Sequence, residues 1–229
     1  MKISSSILLI ILSLCSTGIR AQPGAGIAVS NNKNNNLTIV YDISISSSNK
    51  KAGIEETYNG GIKTVMLQNG KARIRLVSLM RIQSLYFFTK DSALTKVLIT
   101  KESGKKKYKY QLSATDWKRH NAKYDSITYS LLDETKSVAG YTCKKAIITV
   151  PGENKEVIVY YSTELKPLDN YIEPLFAGIP GVVLQYVSET TNGNISFTAS
   201  KISFEPVDEN LLQEPTSDYV QKNYDAPVR

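Results

Sequence analysis

The feature that most constrains this chain is a repeated alternation of apolar and polar residues in short segments separated by hairpin-length turns. Residues 37–46 form the first such segment, and its apolar positions are Leu37, Ile39, Tyr41, Ile43 and Ile45. Alternation with a period of two is typical of a strand with one buried face. Turn signals of the Asn-Gly type follow at residues 59–61 and 69–70. Because hairpin turns join antiparallel neighbours, the pattern predicts an antiparallel sheet.

The same pattern continues along most of the chain and predicts about ten strands in all. The predicted strands are residues 37–46, 62–67, 71–79, 84–88, 93–100, 107–112, 127–132, 141–150, 156–162, 182–189 and 194–204. We therefore expect a mainly β fold, of the β-rich α+β class. In it an antiparallel meander curls into a half-barrel or a sandwich.

The period changes between residues 163 and 177, where apolar residues recur every three to four positions. Pro167 and Pro174 interrupt this pattern, since proline cannot continue a helix interior. The stretch therefore predicts one short broken helix, or two turns, that pack onto the concave side of the sheet. Residues 115–123 are expected to be irregular or a short helical turn, and residues 208–229 to be a strand-free tail.

Residues 1–21 have the outline of a signal peptide, with a positive Lys2, a short apolar run at residues 7–14 and Ala21 at the cleavage position. The run is shorter than the roughly 20 residues that span a bilayer, so no membrane span is expected after cleavage. Cys15 offers an alternative lipoprotein site, which the bulky Leu14 before it disfavours. We expect an exported protein, periplasmic or associated with the outer membrane.

The remaining chain is expected to contain a flexible leader at residues 22–36, a single β-rich domain at 37–207 and a C-terminal tail at 208–229. The formal net charge of +7 falls to 7 − 2 = +5 without Lys2 and Arg20. This mild positive charge is spread along the chain instead of forming the basic stripe of a nucleic-acid-binding protein. The sequence therefore predicts no nucleic-acid partner.

Two short motifs resemble those of a known family. The first is Gly178-Ile179-Pro180-Gly181-Val182-Val183, a glycine-proline turn that leads directly into an apolar strand. It resembles the GLPGLI motif that names a family of small exported proteins of Bacteroidota. The second motif includes Gly140, Tyr141, Cys143 and Lys145, and resembles that family's GYxCxKA-type segment. One departure is Val159-Tyr160-Tyr161, where family members often carry a tryptophan. The resemblance implies export and a shared turn, and it implies no activity.

The chain offers few residues for catalysis. His120 is the only histidine, and no H-E-x-x-H or Cys/His cluster accompanies it, so no metal or cofactor site is predicted. We expect His120 to lie at the surface or in a loop, where Lys118 and Arg119 would lower its proton affinity. Cys143 is a candidate nucleophile because lysines follow it, but a small thiol in a strand usually packs in the core.

Three further groups have a functional and a structural interpretation. Asp169 and Glu173, flanked by Glu164, could form a catalytic carboxylate pair, or could be the solvated face of a short helix. Residues 105–107 are three lysines that could bind polyanions, or could form a charged edge that blocks aggregation. The 14 tyrosines, against 5 phenylalanines, suit either a binding concavity or a half-solvated sheet.

The preferred interpretation is a non-catalytic binding or envelope-assembly protein with no catalytic residue. Its apolar, tyrosine-lined concavity, closed by residues 164–181, would take a lipid-like ligand or an outer-membrane protein partner. The alternatives are a thiol- or carboxylate-dependent enzyme, and a structural partner of an outer-membrane barrel.

Overall fold

A computed structural model describes residues 36–46, 58–151, 155–190, 193–216 and 218–224. The predicted signal peptide, and the predicted leader apart from Asn36, lie outside the described residues. The division of the chain into leader, domain and tail therefore stays a prediction.

Within the described residues, one sheet holds twelve strands. The strands are β1 Leu37–Ser46, β2 Ile62–Gln68, β3 Lys71–Val77, β4 Ile82–Lys90, β5 Ala93–Ser103, β6 Lys106–Ser113, β7 Thr128–Val138, β8 Tyr141–Val150, β9 Lys155–Ser162, β10 Val182–Thr190, β11 Gly193–Ser203 and β12 Val220–Lys222. Their order in the sheet is β12-β6-β5-β4-β3-β2-β1-β11-β10-β9-β8-β7. The prediction of a mainly β fold is confirmed.

Two antiparallel meanders build this sheet. The first contains β1 to β6 and the second β7 to β11, and the pairing of β1 with β11 joins them. The sheet does not close into a barrel, so β7 and β12 are its two edges. Most predicted strand ends agree with the observed ones to within two residues, because the turn residues between strands fix where each alternation stops. The exceptions are β5, which continues three residues further, to Ser103, and β7, which continues six residues further, to Val138.

One short α-helix, α1, spans Ala114–His120. Its first turn carries a capping box in which the Ser113 side chain accepts from the Asp116 amide and the Asp116 side chain accepts from the Ser113 amide. A 3-10 turn at Ala122–Tyr124 follows. The helix agrees with the short helical turn predicted at residues 115–123. No helix in the part of the chain that the structure describes is long and apolar enough to cross a membrane.

The C-terminal segment, residues 204–224, is more ordered than the sequence predicts. It contains a 3-10 turn at Glu209–Leu212 and the strand β12, which pairs in parallel with β6. The prediction of a strand-free tail is wrong. Alternation cannot reveal a strand of three residues whose side chains are all exposed.

The sheet has both faces covered over part of its width. Its inner face packs against α1 and residues 163–181, and its outer face over β2 to β6 packs against the C-terminal segment. Consecutive residues of β5 are therefore buried, namely Val97, Leu98, Ile99 and Thr100. The inner face carries the candidate site.

Candidate functional site

Residues 163–181, which we call the strap, leave the sheet and return to it at the same place. Ser162 ends β9 and Val182 begins β10, and the two residues are partners across that strand pair. Between them the chain forms turns and one 3-10 helix, Pro174–Phe176. The predicted alternative of broken turns is thus confirmed, because Pro167 and Pro174 divide the stretch into pieces too short for an α-helix.

The glycine-proline motif forms the end of the strap that leads into β10. Gly178 has a φ of +89°, in the left-handed region that favours glycine. At Gly181 the constraint is space, since a Cβ atom there would lie 2.2 Å from the backbone oxygen of Ser162. The amide of Gly181 donates to the Ile179 carbonyl over 2.8 Å, which tightens the turn. Both glycines are therefore structural requirements of this turn.

The strap's inward side chains connect the whole core. Leu165 packs in one apolar cluster with Cys143 and Val182, and Ile179 packs in a second with Val159 and Tyr186. A third cluster contains Ile172 together with Phe87 and Trp117. All three strap residues are at most 6% exposed. The expected concavity exists, but it is filled by the strap itself.

A charged pair is buried where the strap crosses the sheet. The Lys63 ammonium on β2 forms an ion pair with the Glu173 carboxylate on the strap, and the two side chains are 8% and 11% exposed. Removing two charges from water is costly unless they are paired and hydrogen-bonded. This pair therefore holds the strap at one defined position. The interpretation of Glu173 as part of a solvated helix face is wrong.

Aromatic rings enclose the Lys63 ammonium in what we call the cage, which consists of Tyr41, Tyr186 and Phe197. The ammonium nitrogen lies 4.9 Å, 5.0 Å and 5.8 Å from their respective ring centroids. These are distances at which a cation is attracted by a ring face. The rings of Tyr186 and Phe197 stack, with centroids 4.4 Å apart.

The hydroxyl groups of the cage tyrosines have separate roles. Tyr41 donates to the Val183 carbonyl over 2.8 Å, whereas the Tyr186 oxygen accepts from Lys63 over 3.2 Å. Burial, and then the Glu173 charge, raises the pKa of both tyrosines well above the ordinary value. Both hydroxyls thus stay protonated, and the Tyr186 hydroxyl remains able to donate a hydrogen bond.

A small cavity of about 30 Å³ lies between the strap and the beginning of β10. Its lining is mainly apolar and includes Leu168, Phe176, Val182 and Val183, together with the carboxylate-bearing Glu173. This volume holds no more than a few water molecules. An apolar ligand of ordinary size would have to move the strap.

Trp117 marks the boundary between the strap and the rest of the inner face. Its indole Nε1–H donates to the Tyr171 carbonyl of the strap over 2.8 Å, and its ring meets Phe87 edge to face at 5.6 Å. It is the only tryptophan in the chain. Its fluorescence therefore reports directly on the position of the strap.

The second sequence motif forms the tight hairpin between β7 and β8. Ala139 and Gly140 both have positive φ, at 49° and 84°, as a two-residue hairpin turn requires. Cys143 is fully buried, and burial raises the pKa of its thiol to about 11. Lys145 instead forms an ion pair with Glu134 on β7. The prediction that Cys143 packs in the core is confirmed, and its environment disfavours a nucleophilic thiolate.

The remaining candidates lie apart from the cage. His120 ends α1, stacks on Trp117 and hydrogen-bonds the Tyr224 hydroxyl. Burial lowers the pKa of His120 most, and the charges of Lys123 and Lys101 lower it further. The charged groups that act on His120 are therefore not Lys118 and Arg119, the residues that the sequence predicted. Within the described residues, no three histidine, cysteine, aspartate or glutamate side chains form a group that could hold a metal ion.

The predicted carboxylate pair does not act as one unit. Asp169 accepts a hydrogen bond from the Tyr171 hydroxyl over 2.8 Å, whereas Glu173 pairs with Lys63. Both line the small cavity. Glu164 accepts from the Thr142 amide at the beginning of the strap. Glu164 and Glu173 therefore attach the strap to the sheet, whereas the Asp169 hydrogen bond lies within the strap.

The lysine run at residues 105–107 is only partly an edge. Strand β12 pairs with β6 at residues 108–110, so β6 is covered there. Lys107 lies over the Tyr219 ring of the C-terminal segment, at 5.8 Å, and Lys222 over Tyr108, at 5.5 Å. Strand β12 thus covers β6 only from Tyr108 to Tyr110, and the charged edge at residues 105–107 stays a prediction.

Sequence reasoning missed the central residue of the site, Lys63. The signal was present, because Lys63 shares its alternation face with Val65 and Leu67 in β2. A lysine in a core-facing position requires a buried partner. The partner could not be predicted, since Glu173 is 110 residues away in sequence.

Comparisons with known proteins leave the family open. No family model matches the chain, and no curated protein matches it. A solved structure of PNGF-II is similar over 83% of this chain at 15% identity and a TM-score of 0.46. This chain spans only 32% of that protein's length.

Two further solved structures have similar coverage of this chain. The lipoprotein LppX of Mycobacterium tuberculosis matches 75% of it at 10% identity and a TM-score of 0.38, over 88% of its own length. A β-barrel-like protein of the domain of unknown function DUF1849 from Brucella abortus matches 75% at 9% identity and a TM-score of 0.34, over 98% of its length. Similarities at this level say nothing about what this chain binds or does.

Proposed function

We propose that this protein is a non-catalytic binding protein of the cell envelope that takes an apolar, lipid-like ligand between the strap and the inner face of the sheet. The observation that carries the proposal is the strap itself, which covers a largely apolar face and returns to its starting point. Because Ser162 and Val182 are paired, the strap can move without separating any strands. A ligand would replace the apolar contacts of residues such as Ile172 and Phe176.

Localisation and family are part of the same proposal. The signal-peptide outline of residues 1–21 supports export to the periplasm or the outer membrane. Membership of the GLPGLI family is supported by the resemblance of the two sequence motifs alone. Cell fractionation, with N-terminal sequencing that finds Gln22 first, tests the export.

The binding proposal is tested with the neutral apolar dye N-phenyl-1-naphthylamine, which accepts excitation energy from tryptophan. We expect saturable quenching of Trp117 and dye emission upon tryptophan excitation. A Trp117→Phe variant should lose the energy transfer while dye excited directly still shows saturable binding. Native mass spectrometry of protein purified from its own envelope should detect a bound apolar molecule. The absence of both a bound molecule and saturable dye binding would contradict the proposal.

A second candidate function is a protein partner at the edge strand β7, for example an outer-membrane barrel protein. Its side chains from Thr128 to Ser137 are all exposed, including Leu131 at 54% and Tyr129 at 42%. A long edge strand with exposed apolar residues is a template for pairing with another strand. Crosslinking in the envelope from Leu131, with Lys222 on the opposite edge as the control position, tests this candidate.

A further inference from the structure

The buried ammonium of Lys63 restricts which apolar molecules can replace the strap. In the closed structure, its charge is balanced by Glu173, a strap residue. When the strap moves, that carboxylate moves with it, whereas Lys63 is fixed on a central strand of the sheet. The ammonium would then lie among Tyr41, Tyr186 and Phe197 beneath an apolar ligand, without a counter-charge. An unpaired charge in such surroundings is strongly unfavourable.

The cage alone does not offset this loss. Ring faces attract a cation, but a cation–π contact is weaker than the interaction with a buried, hydrogen-bonded carboxylate. A molecule that brings its own anion would restore the balance. A neutral molecule would leave Lys63 unpaired, so its binding would have to overcome that cost.

The groups around Lys63 also suit an anionic head group chemically. The ammonium carries three donors, one of which points to the Tyr186 oxygen. The Tyr186 hydroxyl proton is a further donor, and the raised pKa of that group keeps it in place. Two oxygens of a carboxylate or phosphate can therefore be bound side by side. The Tyr41 hydroxyl is already used, since it donates to Val183.

We propose that the ligand is an acidic amphiphile, whose carboxylate or phosphate head group replaces Glu173 on Lys63 and whose apolar chain replaces the strap's apolar side chains on the inner face. Glu173 is then an internal competitor that keeps Lys63 paired in the absence of ligand. This inference rests on the proposed function, because it names the class of ligand for the same site.

The test compares ligands that differ only in the head group. Dodecanoic acid, dodecyl phosphate and dodecanol each compete with the neutral dye for the full chain at neutral pH. We expect the two acids to displace the dye at concentrations at least tenfold lower than dodecanol. The relative strength of the carboxylate and the phosphate then distinguishes a fatty acid from a phospholipid head group as the natural source.

Three variants connect the preference to the named residues. In Lys63→Met, or in the double variant Lys63→Met with Glu173→Met if the single one fails to fold, the acid and the alcohol should compete within twofold of each other. Glu173→Gln should widen the preference for the acid, because it removes the internal competitor. The control Lys96→Met, on the outer face, should keep the tenfold preference.

The outcomes separate the two proposals. Equal competition by acid and alcohol in the natural protein would overturn the acidic-amphiphile inference and leave a binding site for neutral apolar molecules. A preference that survives in the Lys63 variants would overturn it as well. Failure of the dye and of all three dodecyl compounds to bind would overturn both this inference and the proposed function.

Discussion

The sheet has two covers, the strap on its inner face and the C-terminal segment on its outer face, and they are attached in opposite ways. The strap contributes Leu165, Ile172 and Ile179 to three apolar clusters and adds one buried ion pair. Between Val207 and Lys222 the C-terminal segment is attached mainly by polar contacts, whereas its two ends, Phe204 and Tyr224, pack against the inner-face clusters. Only Leu212 of that segment is a fully buried apolar side chain among its described residues.

The contacts of the C-terminal segment follow one after another along the outer face. Gln68 donates to the Val207 carbonyl and accepts from its amide, and Arg73 donates to the Leu211 carbonyl. Glu214 then pairs with two lysines, and Tyr219 donates to Glu102. Strand β12 finally adds backbone bonds to β6.

This difference indicates which cover can open. The strap makes no strand pairing of its own, and both of its ends are fixed in neighbouring strands. Most of its inward contacts are apolar and non-directional, so another apolar molecule can replace them, and its directional contacts to the rest of the protein involve Glu164, Tyr171 and Glu173. The backbone and side-chain hydrogen bonds of the C-terminal segment are specific to their partners. We therefore place the proposed binding at the inner cover.

The largest expected effect is at Gly181, where the strap joins the sheet. Gly181→Val would place a Cβ atom 2.2 Å from the Ser162 backbone oxygen, next to the residue pair Ser162–Val182 that joins β9 and β10. We expect a loss of at least about 3 kcal/mol in the free energy of unfolding. Chemical denaturation measures it.

Gly60→Ala is the matched control for this substitution. Gly60 has a φ of +73° but nothing within 4 Å of an added Cβ, so only backbone strain of about 1–2 kcal/mol is expected. Equal losses at the two glycines would contradict the close approach as the cause at Gly181.

The second effect compares the ion pairs of the two covers. Lys63→Met leaves the Glu173 charge buried without its partner, and we expect a loss of about 3 kcal/mol. Lys96→Met removes a partner of Glu214 from a pair whose side chains are about a third exposed, so we expect at most about 1 kcal/mol. Urea unfolding of both variants measures the difference. Similar losses for the two would show that the pair beneath the strap is not effectively buried.

A smaller loss of stability is expected at Pro180, near the C-terminal end of the strap. Pro180→Ala increases the freedom of the unfolded chain and should lower the free energy of unfolding by roughly 1 kcal/mol. It should also speed hydrogen exchange at the strap while leaving the C-terminal segment unchanged. Unchanged stability and exchange would mean that the rigid turn does not position the strap.

The smallest effect is a pH dependence in the outer cover. The hydrogen bond from Lys96 lowers the pKa of Glu214, with a smaller contribution from Lys109. Because the folded-state pKa lies below the unfolded value, the stabilisation is present above the ordinary glutamate pKa of 4.5 and is lost as the pH falls through the folded-state value. Natural protein should thus lose more stability between pH 6 and pH 3 than Glu214→Gln, by less than about 1 kcal/mol. If the free energies of unfolding of the two proteins changed with pH in parallel, the ion pair of Glu214 with Lys96 would be contradicted.

Much of this architecture could be predicted from the sequence, because strands and hairpins are local. Alternation from Leu37 onward and Asn-Gly turns define most strands, and Pro167 and Pro174 identify the strap as broken turns. Long-range pairing is different. The joining of β1 with β11, and the meeting of Lys63 with Glu173, depend on packing across the whole chain. Strand β12 could not be predicted either, because it is too short to show an alternation of apolar and polar residues.

The individual glycines illustrate the same limit. Gly178 has a positive φ, a conformation that glycine adopts readily, although the sequence does not show which glycine of the motif adopts it. Gly181 is required because another strand's backbone lies against it, and only the folded structure contains that information.

The most direct test of the account is hydrogen exchange by mass spectrometry on the full chain, with and without saturating dodecanoic acid. We predict that the ligand changes the exchange of amides in residues 163–181 and leaves residues 207–222 of the outer cover as they were. The strap would exchange faster if the ligand displaces it, or more slowly if it closes over the bound molecule. Ligand binding that leaves the strap unchanged, or that alters both covers equally, would contradict the assignment of binding to the inner cover.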